Sequence, residues 1–111
     1  MRVKSPVVVR VDGRVKWKIL KAKGNNWVAI CDPLKLTLQA DTWANLMEDI
    51  AFALDAMLKE LLSSNELDRF MRDHRWKLIG QIPRHQADVR FDLPFIPAMI
   101  SSYGSQSSLR Q

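Results

Sequence analysis

Residues 27–47 read WVAICDPLKLTLQADTWANLM, a passage that sets the fold class. Trp27–Cys31 is apolar on both alternating sides. That predicts a central strand, covered on both faces or partly covered by a partner. Asp32-Pro33 interrupts pairing, because proline lacks a backbone donor. Leu34, Leu36 and Leu38 then alternate with Lys35, Thr37 and Gln39, predicting a half-buried strand at or near a sheet edge. Asp41 and Thr42 are both good N-caps and open a helix.

The helix reads on to about Leu62. Trp43, Leu46, Met47, Ile50, Leu54, Met57, Leu58 and Leu61 recur at three- and four-residue spacing and form one apolar stripe. Glu48, Asp49, Asp55 and Glu60 take the other side. Phe52 points roughly 200° from Ile50 and falls among these acids.

Upstream, VVVRVDGRVKWKIL (7–20) has strand character with Asp12-Gly13 as a turn signal. A two-residue loop would put valines opposite Arg14, Lys16 and Lys18. A three-residue loop, Val11-Asp12-Gly13, pairs Val9 with Val15 and Val7 with Trp17, with Gly13 in the left-handed position. The sequence thus predicts a hairpin burying Val7, Val9, Val15, Trp17 and Ile19, with Arg10, Arg14, Lys16 and Lys18 in water. Residues 21–26, KAKGNN, form the next turn. Downstream, Ser63 and Glu66 fit a capping box for a short helix ending near His74 or Arg75. WKLIGQI (76–82) reads as a strand, PRHQAD (83–88) as a loop, and VRFDLPFIPAMI (89–100) as an extended edge piece carrying Pro94 and Pro97. The Ser- and Gln-rich residues 101–111 read as a flexible tail. The expectation is one α+β domain over residues 1–100: a small, mostly antiparallel sheet under one long amphipathic helix, with a short second helix and C-terminal strands.

The 111 residues suffice for one core, and 47% hydrophobic with 26% charged residues is ordinary for a globular chain. Cys31 is the only cysteine, so no internal disulfide can form. Its apolar run predicts a buried, inert thiol. The N-terminal apolar run is too short for a signal-peptide core, the helix is too charged to span a membrane, and a cytoplasmic location is expected. The net charge of +5 is uneven. Residues 1–40 carry nine Lys/Arg against Asp12 and Asp32, a net +7; residues 41–62 carry Lys59 against five acids, a net −4.

Chemistry is sparse. The four glycines lie far apart, and no His/Cys pair has metal-ligand spacing. His74 reads as a charge at a helix C-terminus. His85 lies three residues before Asp88, but no nucleophile is placed beside the pair. Asp12, Asp32 and Asp41 have turn, break and cap duties, so they are not expected to converge on a metal. No catalytic residue, metal site or cofactor is expected. Arg10, Arg14, Lys16 and Lys18 form a basic strand face, the footprint of a weak nucleic-acid binder.

The order of hairpin, WVAIC strand, LTLQ strand and ADTWANLM helix start resembles the HicB-like antitoxin family. Trp27, Val28, Ala29, Cys31, Gln39, Asp41 and Thr42 carry the resemblance, which covers about residues 3–62. It implies a partial ribonuclease H-like fold without nuclease activity, and a small RNA-cleaving toxin of the HicA type as partner. Residues 63–100 read helix, strand, strand. A ribbon-helix-helix DNA-binding appendage, which needs a strand before two helices, is therefore not expected. An RNA-binding toxin should itself be basic. The acidic helix side, Glu48, Asp49, Phe52, Asp55 and Glu60, would then attract it and offer one apolar anchor. A homodimer through an open sheet edge or the two-proline strand is also expected. The other function class, nucleic-acid binding by the basic strand face, stays open.

Overall fold

The computed structural model describes residues 7–80 and 89–100. In chain order the elements are β1 (Val7–Asp12), β2 (Val15–Ala22), β3 (Asn26–Cys31), β4 (Leu36–Ala40), α1 (Trp43–Ser63), α2 (Leu67–His74), β5 (Lys77–Ile79), β6 (Val89–Asp92) and β7 (Phe95–Met99). The α+β class expected from the sequence holds. The strands form two mixed sheets, of order β5-β1-β6 and β4-β3-β2-β7. The chain divides into two units. Unit 1 is Met1–Arg14 with Ala51–Pro94, and unit 2 is Val15–Ile50 with Phe95–Gln111.

Unit 2 holds the passage that opened the sequence. β3 is central, antiparallel to both β2 and β4. The β2–β3 connection uses positive φ at Gly24 (72°) and Asn25 (68°), residue types that tolerate it. After Asp32-Pro33 the chain turns, the Lys35 N–H donating to the Asp32 carbonyl at 3.1 Å, and Cys31 pairs with Leu36. Leu34 therefore lies in the turn, and the strand begins two residues later than its alternation suggested. β7 closes the other edge, parallel to β2, with Pro97 opposite Trp17. Trp17, Ile19, Ala29 and Cys31 are buried on one face. The Trp17 indole N–H has no hydrogen-bond partner among the described residues.

The cap of α1 is Thr42. Its hydroxyl accepts from the Asn45 N–H at 3.0 Å, and its carbonyl accepts from the Leu46 N–H. Asn45 Nδ2 also donates to Asp41 at 3.0 Å, so both predicted capping residues are engaged. Trp43 meets Trp27 edge-on, with centroids 5.3 Å apart. Leu46, Ile50, Leu54 and Leu58, spaced by four, are fully or almost fully buried. Each contributes about 1.5–3 kcal/mol over an exposed position. That stripe, rather than helix propensity, holds the helix.

Unit 1 corrects the expected hairpin. β1 and β2 do not pair. β1 lies between β5, antiparallel, and β6, parallel. Val9, Val15, Trp17 and Ile19 are buried as expected, but so is Val11, and Val7 is exposed. Gly13 does not adopt a positive φ. Its role is space: an added Cβ would lie 2.5 Å from Trp76 Cδ1 and 2.6 Å from Cγ. The capping box is also corrected. Ser63 is still in α1, its hydroxyl donating to the Lys59 carbonyl, and the N-cap of α2 is Glu66, without a side-chain cap. Instead α1 ends through Asn65 at φ 63°, with the Glu66 N–H reaching the Leu61 carbonyl. α2 ends the same way through Arg75 at φ 59°, the Trp76 N–H reaching the Met71 carbonyl. The 83–88 loop, His85 with its neighbour Asp88, and the 101–111 tail lie outside the described residues.

The Gly13 contact is testable. Gly13→Ala should destabilise the protein by about 1–3 kcal/mol, because the rigid indole ring has to shift. Arg75→Gly should stabilise it by roughly 0.5–1 kcal/mol by removing a Cβ from a left-handed position. Urea denaturation of both variants reads the two signs.

Candidate protein-binding surface

α1 carries the acidic residues singled out in the sequence, and they divide. Glu48 and Glu60 are exposed, and Asp49 is half-buried. Phe52 stands 55% exposed, one helical turn after Glu48. Asp55 is different. Its side chain is only 14% exposed. One oxygen accepts from the Phe91 backbone N–H at 2.7 Å, and the other meets Lys59 Nζ at 3.0 Å. Among the described residues β6 is an edge strand of unit 1, so the carboxylate satisfies a donor that no described strand takes. Asp55 ties α1 to β6, and the outward surface is left to Glu48, Phe52, Asp49 and Glu60. The sequence could not show this, because the partner of Asp55 is a backbone group thirty-six residues away.

The basic residues also divide. Lys16 and Lys18 of β2 are exposed and line a shallow groove of about 370 Å³ with Ile30, Pro33, Ala98 and Ile100. Lys18 is bridged to Asp32 at 2.9 Å, both ends more than half exposed. Arg10 and Arg14, in unit 1, line another hollow with Asp12 and Asp92. Part of the basic strand charge is therefore met locally. Lys21 lies over the Trp27 ring, 5.3 Å from its centroid.

No group of three His, Cys, Asp or Glu among the described residues could hold a metal ion. Asp32 and Asp41 have the partners just given, Lys18 and Asn45, while Asp12 ends β1. His74 is the last residue of α2. Its Nδ1 lies 3.0 Å from the Phe70 carbonyl, and its ring is close to Phe70 (4.1 Å) and Trp76 (4.8 Å). Cys31 is 1% exposed. Burial pushes its thiol pKa up, the Leu34 backbone N–H opposes this, and the nearby Asp32 charge adds to it. Among the described residues, no helix is long and apolar enough to cross a membrane.

Compared with models of protein families, with curated proteins and with solved structures, the chain has no match. The HicB-like resemblance rests on the residues quoted from the sequence.

Asp55→Ala should cost about 1–3 kcal/mol, because the Phe91 N–H loses a charged acceptor. Asp55→Asn, which keeps an acceptor oxygen, should cost less. Thermal denaturation of both variants checks the order. Cys31 sets a pH dependence. Because its folded pKa is raised, the folded state holds the thiol proton while the unfolded chain releases it above about 8.5. The stability is fully present below that value and falls as pH rises through the folded pKa. Cys31→Ala should flatten this alkaline loss in denaturation curves.

Proposed function

We propose that this chain is a cytoplasmic, non-catalytic protein-binding module of the HicB-like antitoxin type, which works as a homodimer and masks a small basic RNA-cleaving toxin. One observation carries the reading. Phe52 stands exposed one turn after the exposed Glu48, on the helix where the chain concentrates its negative charge. An aromatic anchor bordered by acids suits a partner whose own surface is positive because it binds RNA. The antiparallel β3-β4 run leading into a capped helix supports part of the order behind the resemblance, whose opening β1-β2 hairpin does not form.

Nucleic-acid binding by Arg10, Arg14, Lys16 and Lys18 has less behind it. Lys18 is bridged to Asp32, and the lysine groove is otherwise lined by apolar side chains. Strong salt dependence would mark such binding.

The test is binding of the purified chain to a small basic RNA-cleaving protein encoded beside its gene, followed by calorimetry and by inhibition of RNA cleavage. Tight binding and inhibition are expected. Glu48→Lys combined with Phe52→Ala should weaken binding by about 2 kcal/mol or more. Asp55 is left intact because it holds β6. Unchanged affinity in the double variant would remove α1 as the binding surface. Salt-dependent RNA binding by the chain alone would favour the other function class.

A further inference from the structure

The sheet of unit 2 buries Trp17 and Ile19 on one face and carries a hollow on the other. In register, Lys18 of β2 stands between Ile30 of β3 and Ala98 of β7. Residues two apart share a strand face, so Ile96, Ala98 and Ile100 stand in one row, and the small middle residue leaves the floor low. Ile100 follows β7 and is held beside β2 by its N–H, which donates to the Ile19 carbonyl at 2.9 Å. The hollow is a groove of about 370 Å³, a volume at the lower end of small-ligand sites.

Its charged groups gather at one end. Asp32 directly follows β3, and Lys18 Nζ reaches its carboxylate at 2.9 Å. Lys16 lies one pleat nearer the start of β2, toward that same end. It is exposed and makes no hydrogen bond or ion pair among the described residues. Two lysines against one carboxylate leave the groove with one unmatched positive charge. Ile30, Ala98 and Ile100 continue away from that end and present only hydrocarbon.

We infer that this groove binds an aliphatic carboxylate, its head on Lys16 and its chain along Ile30, Ala98 and Ile100. The single negative charge is what the lysines lack, and a charge-assisted bond to an ammonium is a strong one. A hydrocarbon chain brings no polar group onto the apolar floor. A polypeptide laid there would bring N–H and C=O groups that this lining cannot pair, at a free-energy cost for each. It could not be added as a full strand either, because Pro97 interrupts the donors of β7. The inference goes beyond the α1 reading and uses none of its residues.

Isothermal titration calorimetry of the full chain with octanoate tests this. Saturable one-site binding at about millimolar affinity or tighter is expected. Acetate, which lacks the chain, and 1-octanol, which lacks the charge, should each bind at least roughly tenfold more weakly. Lys16→Gln should weaken octanoate roughly tenfold, and Lys16→Arg should keep most of the affinity. Ala98→Leu, which fills the floor, should weaken it as well. Circular dichroism of each variant verifies that the fold is kept. No saturable octanoate binding overturns the site. Affinity unmoved by Lys16→Gln and Ala98→Leu removes it from this groove. Binding to phosphatidylglycerol vesicles without binding to octanoate would make the face a membrane contact and overturn the ligand class. Tighter binding of an acidic, leucine-containing peptide would give the groove to a polypeptide and overturn it too.

Discussion

The Trp76 indole occupies the place where a side chain on Gly13 would be, which keeps that position to glycine. Trp76 is delivered there by the end of α2. The left-handed Arg75 reverses the chain, and the Trp76 N–H closes the helix on the Met71 carbonyl. Phe70 and His74 then flank the indole at 5.6 and 4.8 Å. Gly13 supplies room rather than a left-handed turn, and β1 does not pair with its successor. β1 pairs with β5 and β6, while β2 takes β3 and β7. Two sheets arise where a hairpin would have made one.

The passage from residue 27 to residue 47 was legible because local rules agree there. Both parities of β3 are apolar, proline forbids pairing at the break, and Thr42 has the hydroxyl a cap needs. The hairpin was misread because Asp-Gly is a strong turn signal, and a register could be found that buried most of the valines. Parity does not separate the two outcomes, since the expected hairpin also buries odd-numbered residues. The difference lies at Val11, a loop residue in that reading, which is buried, and at Val7, which is exposed. Ser63 misled in a similar way. Its capping-box spacing is correct, but α1 runs through it, and Asn65 provides the stop.

The acids of α1 show why a charge pattern gives only part of a surface. Asp55 sits on the expected acidic side of the helix, yet its carboxylate is occupied by a strand amide and a lysine. A half-buried carboxylate with two partners contributes to the fold, whereas an exposed one beside Phe52 is available for recognition. The basic strand residues divide likewise between bridged and open, which lowers the field that a polyanion would meet. Sequence places charges, and backbone donors far along the chain decide which of them face outward.

The two parallel pairings have a consequence for synthesis. β1 pairs with β6 and β2 with β7, each across about eighty residues of chain. While the chain is being made, β1 and β2 leave the ribosome about eighty residues before β6 and β7. The β2-β3-β4 meander and α1 can assemble meanwhile, since their contacts are local. Neither sheet has its full set of strands until residues 89–99 emerge. Over that interval the strands that will become interior carry open edges, and the nascent chain, rather than the finished protein, is the form most exposed to wrong pairing.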